Sequence, residues 1–183
     1  LPDYEVQGLG RTIFIERPVP QASLILGQPA VHRHHPDFYP AFVMNHILGG
    51  GGFESRLTTE VREARGLTYG IGSWLRTDDY SNSLNISTST RSDRVEEAIE
   101  VIEAEIARMI AEGPTDEELA DAKRYLIGAY AINNLDTSSS VARTLVELQR
   151  NELGIDYIAR REELINAVTR DQAHAAARRL LTA

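Results

Sequence analysis

Polar and apolar residues alternate along the first half of the chain and recur in threes and fours along the second. Tyr80 to Thr90 sets Leu84, Ile86 and Thr88 on one side and Ser83, Asn85 and Ser87 on the other. That period of two predicts a strand with one face on a core. Tyr69 to Arg76 predicts a neighbour, joined to it as a hairpin through Thr77-Asp78-Asp79. Upstream, Arg11 to Arg17 (RTIFIER) carries β-branched and aromatic residues and predicts a strand, punctuated by Pro18 and Pro20. Ala22 to Gln28 (ASLILGQ) predicts another, whose continuous apolar centre suggests burial on both faces. Leu1 to Gly10 reads as a linker or tail, which leaves 11–183 as one domain.

Between these strands lie two short helices. Pro29 to Pro36 is a loop, and Asp37 is placed to cap a helix from Phe38 to about Leu48. Gly49 to Gly52 breaks the chain. A second helix runs from about Glu54 to Arg65 and stops at Gly66, a natural residue just past a helix end. After Asp93 the chain is nearly all helix. Val95, Ile99, Ile102, Ile106 and Met109 lie on one helical face. Thr115 with Glu118 forms a capping-box pattern for a helix to about Asn133. Asp136 or Thr137 opens the next, with Val141, Leu145 and Leu148 inward. Another spans about Asp156 to Val168, and Thr169 with Gln172 caps a last short one. Strands first and helices later predict a two-layer α+β domain, an antiparallel-rich sheet with helices on one face.

The composition narrows the functional classes. With 183 residues, 42% hydrophobic and 25% charged, the chain can bury a core without staples. It has no cysteine, which excludes disulfides, thiolate catalysis and cysteine-based metal sites. That absence suits the cytoplasm and the bacterial periplasm equally. Acids outnumber Lys plus Arg by 27 to 19, a formal charge of −8, so nucleic acid is not the expected partner. Apolar runs such as Ala41 to Met44 are far too short to span a membrane. The sequence begins at Leu1-Pro2 and reads as a fragment or a processed product.

Three stretches hold candidate chemistry. His32, His34 and His35 invite a metal, but loop residues so close in sequence rarely converge on one ion, and no acid sits at ligand spacing nearby. His46 and His174 stand alone and read as packing or surface residues. The glycine run Gly49, Gly50, Gly51 and Gly52 lacks the Lys-Ser/Thr of a phosphate loop. It is either a flexible connector or a mobile or close-approach backbone beside a ligand. In VREARGLTYG, Arg62 lies in the last turn of a helix and Tyr69 opens the following strand. The turn at Gly66 would bring a guanidinium and a phenol to one end of the sheet, where together they could grip a carbonyl oxygen or an oxyanion. Spacing alone does not distinguish this from an ordinary helix end and strand edge.

The stretch ILGGGGFESRLTTEVREARGLTY, Ile47 to Tyr69, resembles the C-terminal, non-zinc domain of M16 (pitrilysin-family) zinc metallopeptidases. A glycine-rich turn, Ser-Arg-Leu, Val-Arg-Glu and Gly-Leu-x-Tyr follow in the family's order. The looser resemblance extends from about Arg11 to Leu181. It implies a two-layer α+β unit that closes one side of a peptide chamber. The zinc, its His-x-x-Glu-His helix and a distal Glu would belong to a partner domain of the same fold, fused or separate, with no cofactor in this one. Arg62 and Tyr69 match the pair that reaches the substrate backbone near the scissile carbonyl, and Gly49 to Gly52 match a loop that handles substrate. Ser55 and Arg56 match too, and read as helix-start structure with Leu57 packed inward. The expected function is therefore half of a metal-assisted peptidase site, inactive alone, with a zinc-bearing domain and a peptide as partners and neither nucleic acid nor membrane. Two alternatives remain: a non-catalytic assembly domain of the same fold, as in the respiratory core subunits, or an unrelated ligand-binding α+β domain.

Overall fold

The structure, a computed structural model, describes residues 8–181. Most of the expected tail, residues 1–7, lies outside the described residues. Three strands form one antiparallel sheet in the order β1-β3-β2: β1 (Gln21–Pro29), β2 (Thr68–Thr77) and β3 (Asn82–Arg91). The central strand β3 keeps the predicted alternation, with Leu84, Ile86, Thr88 and Thr90 buried. Helices cover that face. They are α1 (Phe38–Asn45), α2 (Val95–Glu112), α3 (Asp116–Asn134), α4 (Ser138–Arg150), α5 (Tyr157–Asn166) and α6 (Arg170–Leu180). The α+β, two-layer architecture is the one expected. Its core runs between sheet and helices, where Met44, Leu48, Leu84, Ile86, Ile102 and Met109 are almost fully buried. Thr115, Thr137 and Thr169 each accept a hydrogen bond from the backbone three residues on, completing capping boxes for α3, α4 and α6. No helix among the described residues is long and apolar enough to cross a membrane.

Four sequence expectations need correction. Residues 11–17 form no strand, and Ile13, Phe14 and Ile15 are exposed. A strand requires a partner for its backbone groups, and Pro18 and Pro20 interrupt continuation into β1. Strand β1 is not buried on both faces: exposed and half-buried residues alternate, and Ile25 is 76% exposed. The reason is that the described helices cover only one side of the sheet. On α4 the inward residues are Thr144 and Leu148, while Leu145 is exposed. This short helix rests on α3 at the margin of the core. Finally, Asp37 makes no side-chain cap on α1. Its carboxylate instead meets Arg179 of α6 at 2.5 Å, tying the two helices together.

Candidate functional site

The chain between α1 and β2 departs twice from α geometry. Residues 46–50 and 58–63 form wide π-type turns, in which Gly51 N donates to His46 O at 2.8 Å and Ala64 N to Thr59 O at 2.9 Å. Each turn accommodates one extra residue, a feature often found at functional sites. The second turn carries Arg62. It closes through Gly66, at φ 60°, with Gly66 N donating to Arg62 O and Leu67 N to Val61 O, both at 2.9 Å. These are the two bonds of a glycine-ended helix, each one residue longer than usual because the turn is wide.

The glycine run is packed rather than loose. A Cβ on Gly49 would lie 2.6 Å from Ser73 Oγ and 2.9 Å from Ser73 N. One on Gly50 would lie 2.8 Å from Asn45 Nδ2, and one on Gly51 2.9 Å from His46 O. Asn45 Nδ2 also donates to Ser73 O at 3.4 Å, and Ser73 Oγ to Asn45 O at 3.3 Å. The close approach is therefore to β2 at Gly49 and to Asn45 and His46 at Gly50 and Gly51, and a flexible connector does not describe these three glycines. Gly52, at φ 62°, is exposed with open space around it.

Strand β2 begins with a bulge. Thr68 pairs with Thr90 and Ile71 with Thr88, so Tyr69 and Gly70 together oppose Ser89. Three threonines hold it. Thr68 Oγ1 accepts from Gly70 N at 3.2 Å, Thr88 Oγ1 lies 2.8 Å from Thr68 Oγ1 and 2.9 Å from Gly70 O, and Thr90 Oγ1 donates to Leu67 O at 2.6 Å. Thr68 and Ile71 remain inward while Tyr69 turns out, 93% exposed. Re-aiming a side chain at the end of a sheet is a common use of a bulge.

Arg62 is half-buried, with its guanidinium carbon 4.6 Å from the centre of the Phe53 ring. No hydrogen bond joins Arg62 and Tyr69, and neither side chain spends a donor on another described group. The Phe53 platform was not singled out in the sequence, although it directly follows the glycine run. Ser55 and Arg56 are structural. Ser55 Oγ donates to Gly52 O at 2.9 Å, and Arg56 grips Glu118 through Nε at 2.6 Å and Nη2 at 2.7 Å.

The histidines do not fit a metal centre. His32 and His34 stack 5.6 Å apart, while Nδ1 of His32 accepts from His34 N and Nδ1 of His35 from Asp37 N. His35 Nε2 faces Arg179 at 3.3 Å, a cation that would repel a metal ion. Among the described residues no cluster of three or more His, Asp or Glu side chains is arranged to hold one. His46 stacks on Tyr125 at 5.1 Å, and burial pushes its pKa down.

Comparison with known proteins assigns this architecture. The chain is 29% identical over 184 residues to the uncharacterized zinc protease YmxG of Bacillus subtilis, a match covering 99% of this chain and 43% of that protein. It is 32% identical over 178 residues to an uncharacterized zinc protease of Streptomyces coelicolor, covering 96% and 38%. It thus spans about two fifths of the length of these relatives. The crystal structure of the peptidase M16 inactive domain from Pseudomonas fluorescens superposes with a TM-score of 0.82 and 33% identity, over 91% of this chain and 39% of that one. The family profile described as "Peptidase M16 inactive domain" matches residues 2–126, from the first residues through the glycine turn, the bulged strand and into α3. Fold, motif and profile agree: the chain belongs to the peptidase M16 inactive-domain family.

Proposed function

We propose that this domain is the non-zinc wall of a peptide-hydrolysing chamber and that Arg62 and Tyr69 contact the substrate there. The observation that carries the reading is a guanidinium and a phenol at one end of the sheet, each with its donors unspent. Arg62 rests on Phe53, which limits its rotamers without consuming an N–H. Tyr69 projects from a bulge held by threonine hydroxyls. A donor restrained in advance, as Arg62 is, can stabilise a peptide carbonyl, or the oxyanion it becomes, with little reorganisation, while the bulge fixes the backbone from which Tyr69 reaches out. Gly49 to Gly52 would form the adjoining rim: Gly49 packs it against β2, Gly50 and Gly51 against Asn45 and His46, and Gly52 leaves backbone open to an approaching chain. The metal chemistry would come from a zinc-bearing domain of the same family, in the same polypeptide or a separate subunit. Membership of the family leaves no place for an unrelated ligand-binding domain.

The test uses the complete two-domain enzyme. Tyr69→Phe and Arg62→Ala are each expected to lower kcat by roughly 10²–10³-fold, the usual cost of a lost oxyanion donor. This domain alone is expected neither to retain zinc after dialysis nor to cleave peptide. If both variants keep wild-type kcat/KM, the domain is architectural and the non-catalytic assembly role takes over.

A further inference from the structure

At the far end of β2, eight residues and roughly 25 Å of strand from Tyr69, lies a cavity of about 450 Å³ between α1, α3, α4 and α5. Its size is that of a small-molecule pocket. Its lining differs in charge from the rest of the molecule. In a chain of net charge −8, the lining holds Arg33, Arg143, Arg150 and Arg161 against a single carboxylate, Glu147. Glu147 is already engaged by Arg150 at 3.0 Å. Arg33, Arg143 and Arg161 have no carboxylate partner among the described residues.

Two of these cations are held rigidly. Arg161 is only 8% exposed, yet it makes one hydrogen bond, from Nη1 to Leu126 O at 2.9 Å, and lies 4.1 Å over the Tyr130 ring. Its remaining donors are not among the buried unpartnered atoms of the described residues, so they open to the cavity, where an anion can meet them. The Arg33 guanidinium carbon sits 3.9 Å above Phe38 and 5.3 Å from the rings of Tyr39 and Tyr157. Its Nη2 donates to Tyr157 Oη at 2.8 Å and to Tyr39 Oη at 3.4 Å, which leaves Nε and Nη1 unused.

The phenols add an unspent proton. Tyr39 donates to Tyr157 at 3.1 Å, and Tyr157 Oη also receives Arg33, so the Tyr157 O–H has no acceptor. If the Tyr39–Tyr157 bond ran the other way, the Tyr39 proton would be the one left over. Tyr157 is 8% exposed. Burial, with help from the Tyr39 hydrogen bond, raises its pKa despite the nearby arginines. Burial raises that of Tyr130 as well. Both phenols therefore stay protonated at neutral pH.

We infer that this cavity binds the oxyanion of a small molecule, a carboxylate or a phosphate, gripped by Arg33 and Arg161 and completed by the leftover phenol hydrogen of the Tyr39–Tyr157 pair. Guanidinium forks fixed against rings suit bidentate recognition of such groups. The site is independent of the Arg62 and Tyr69 reading and would stand if that reading fell.

The experiment is calorimetric titration of the full chain with pyrophosphate, citrate and inorganic phosphate. Sodium chloride serves as the ionic-strength control. Saturable one-to-one binding of at least one oxyanion is expected. Arg33→Gln should weaken it by about tenfold or more, as for a charged hydrogen-bonding pair. Tyr157→Phe, which keeps the ring and removes the hydroxyl, should weaken it about threefold or more. Preference for citrate would assign a carboxylate ligand, and preference for pyrophosphate or phosphate a phosphate one. Arg33→Lys, which keeps the charge but loses the planar fork, supplies a third variant should Arg33→Gln not fold. Absence of saturable binding by all three probes overturns the inference, as does binding that Tyr157→Phe and the folded arginine variant leave unchanged.

Discussion

Arg56 and Glu118 form a two-pronged ion pair, Nε to Oε1 at 2.6 Å and Nη2 to Oε2 at 2.7 Å, that fastens the helical stretch after the glycine turn to the start of α3. Arg56 also donates to Gly113 O at 2.9 Å, and Glu118 accepts from Thr115 N at 2.7 Å. One carboxylate thus closes the capping box of α3 and ties the α2–α3 turn to the helical stretch after the glycine turn. Burial pushes the Glu118 pKa up, but hydrogen bonds from Arg56 and the Thr115 backbone and the nearby positive charge bring it below the ordinary 4.5. A carboxyl depressed in the native state adds stability above its ordinary pKa and loses it as pH falls through the native value. Glu118→Gln is therefore expected to cost about 2–3 kcal/mol at pH 7. It should also flatten the decline in stability below about pH 4.5. Urea denaturation from pH 3 to 7 checks both, and equal acid slopes in the two proteins would refute the assignment.

Gly49 and Gly52 answer to different constraints. Gly49→Ala puts a methyl 2.6 Å from Ser73 Oγ and 2.9 Å from Ser73 N, and should cost about 1–3 kcal/mol through overpacking. Ser73→Ala should not rescue it, because the backbone nitrogen remains in the way. Gly52→Ala meets open space but keeps φ at 62°, which costs about 1 kcal/mol. Denaturation midpoints of the two variants and of the Gly49→Ala, Ser73→Ala pair decide this.

Tyr69 is 93% exposed and supports nothing beneath it. Tyr69→Phe should leave stability within about 0.5 kcal/mol of wild type, whatever it does to activity. A larger loss, read by thermal unfolding, would mean that the hydroxyl has a structural partner.

The bulge depends on Thr88, buried and reaching both Thr68 Oγ1 and Gly70 O. Thr88→Val keeps the shape and removes the hydroxyl, at an expected cost of about 1–2 kcal/mol. Gly70 N donates to Thr68 Oγ1, so its amide should exchange faster in this variant. Unchanged exchange at Gly70 would show that the backbone alone sets the bulge.

The sequence by itself determined the elements whose cause is local. The capping boxes at Thr115 and Thr169 and the alternation of β3 follow from neighbours a few residues apart, whereas the choice of Thr137 over Asp136 as the cap of α4 was settled only by the structure. The helix end at Gly66, where a positive φ is needed, is local as well. The ordered motif from Ile47 to Tyr69 also sufficed for the family. What depended on distant partners was not legible. Among the described residues, Ile13 to Ile15 have strand propensity but no strand to pair with, and Ile25 lies on a sheet face that no helix covers. Leu145 missed the core because α4 meets it along Thr144 and Leu148. The sequence left the glycine run as either a connector or a close approach, and the structure shows Gly49 tight against Ser73, from a strand more than twenty residues on, Gly50 and Gly51 tight against Asn45 and His46, and Gly52 in open space. Likewise Arg33 and Tyr157, 124 residues apart, meet only when α1 and α5 flank one cavity. Propensity acts along the chain, whereas packing and charge act through space, so only the tertiary structure decided which local preferences were fulfilled.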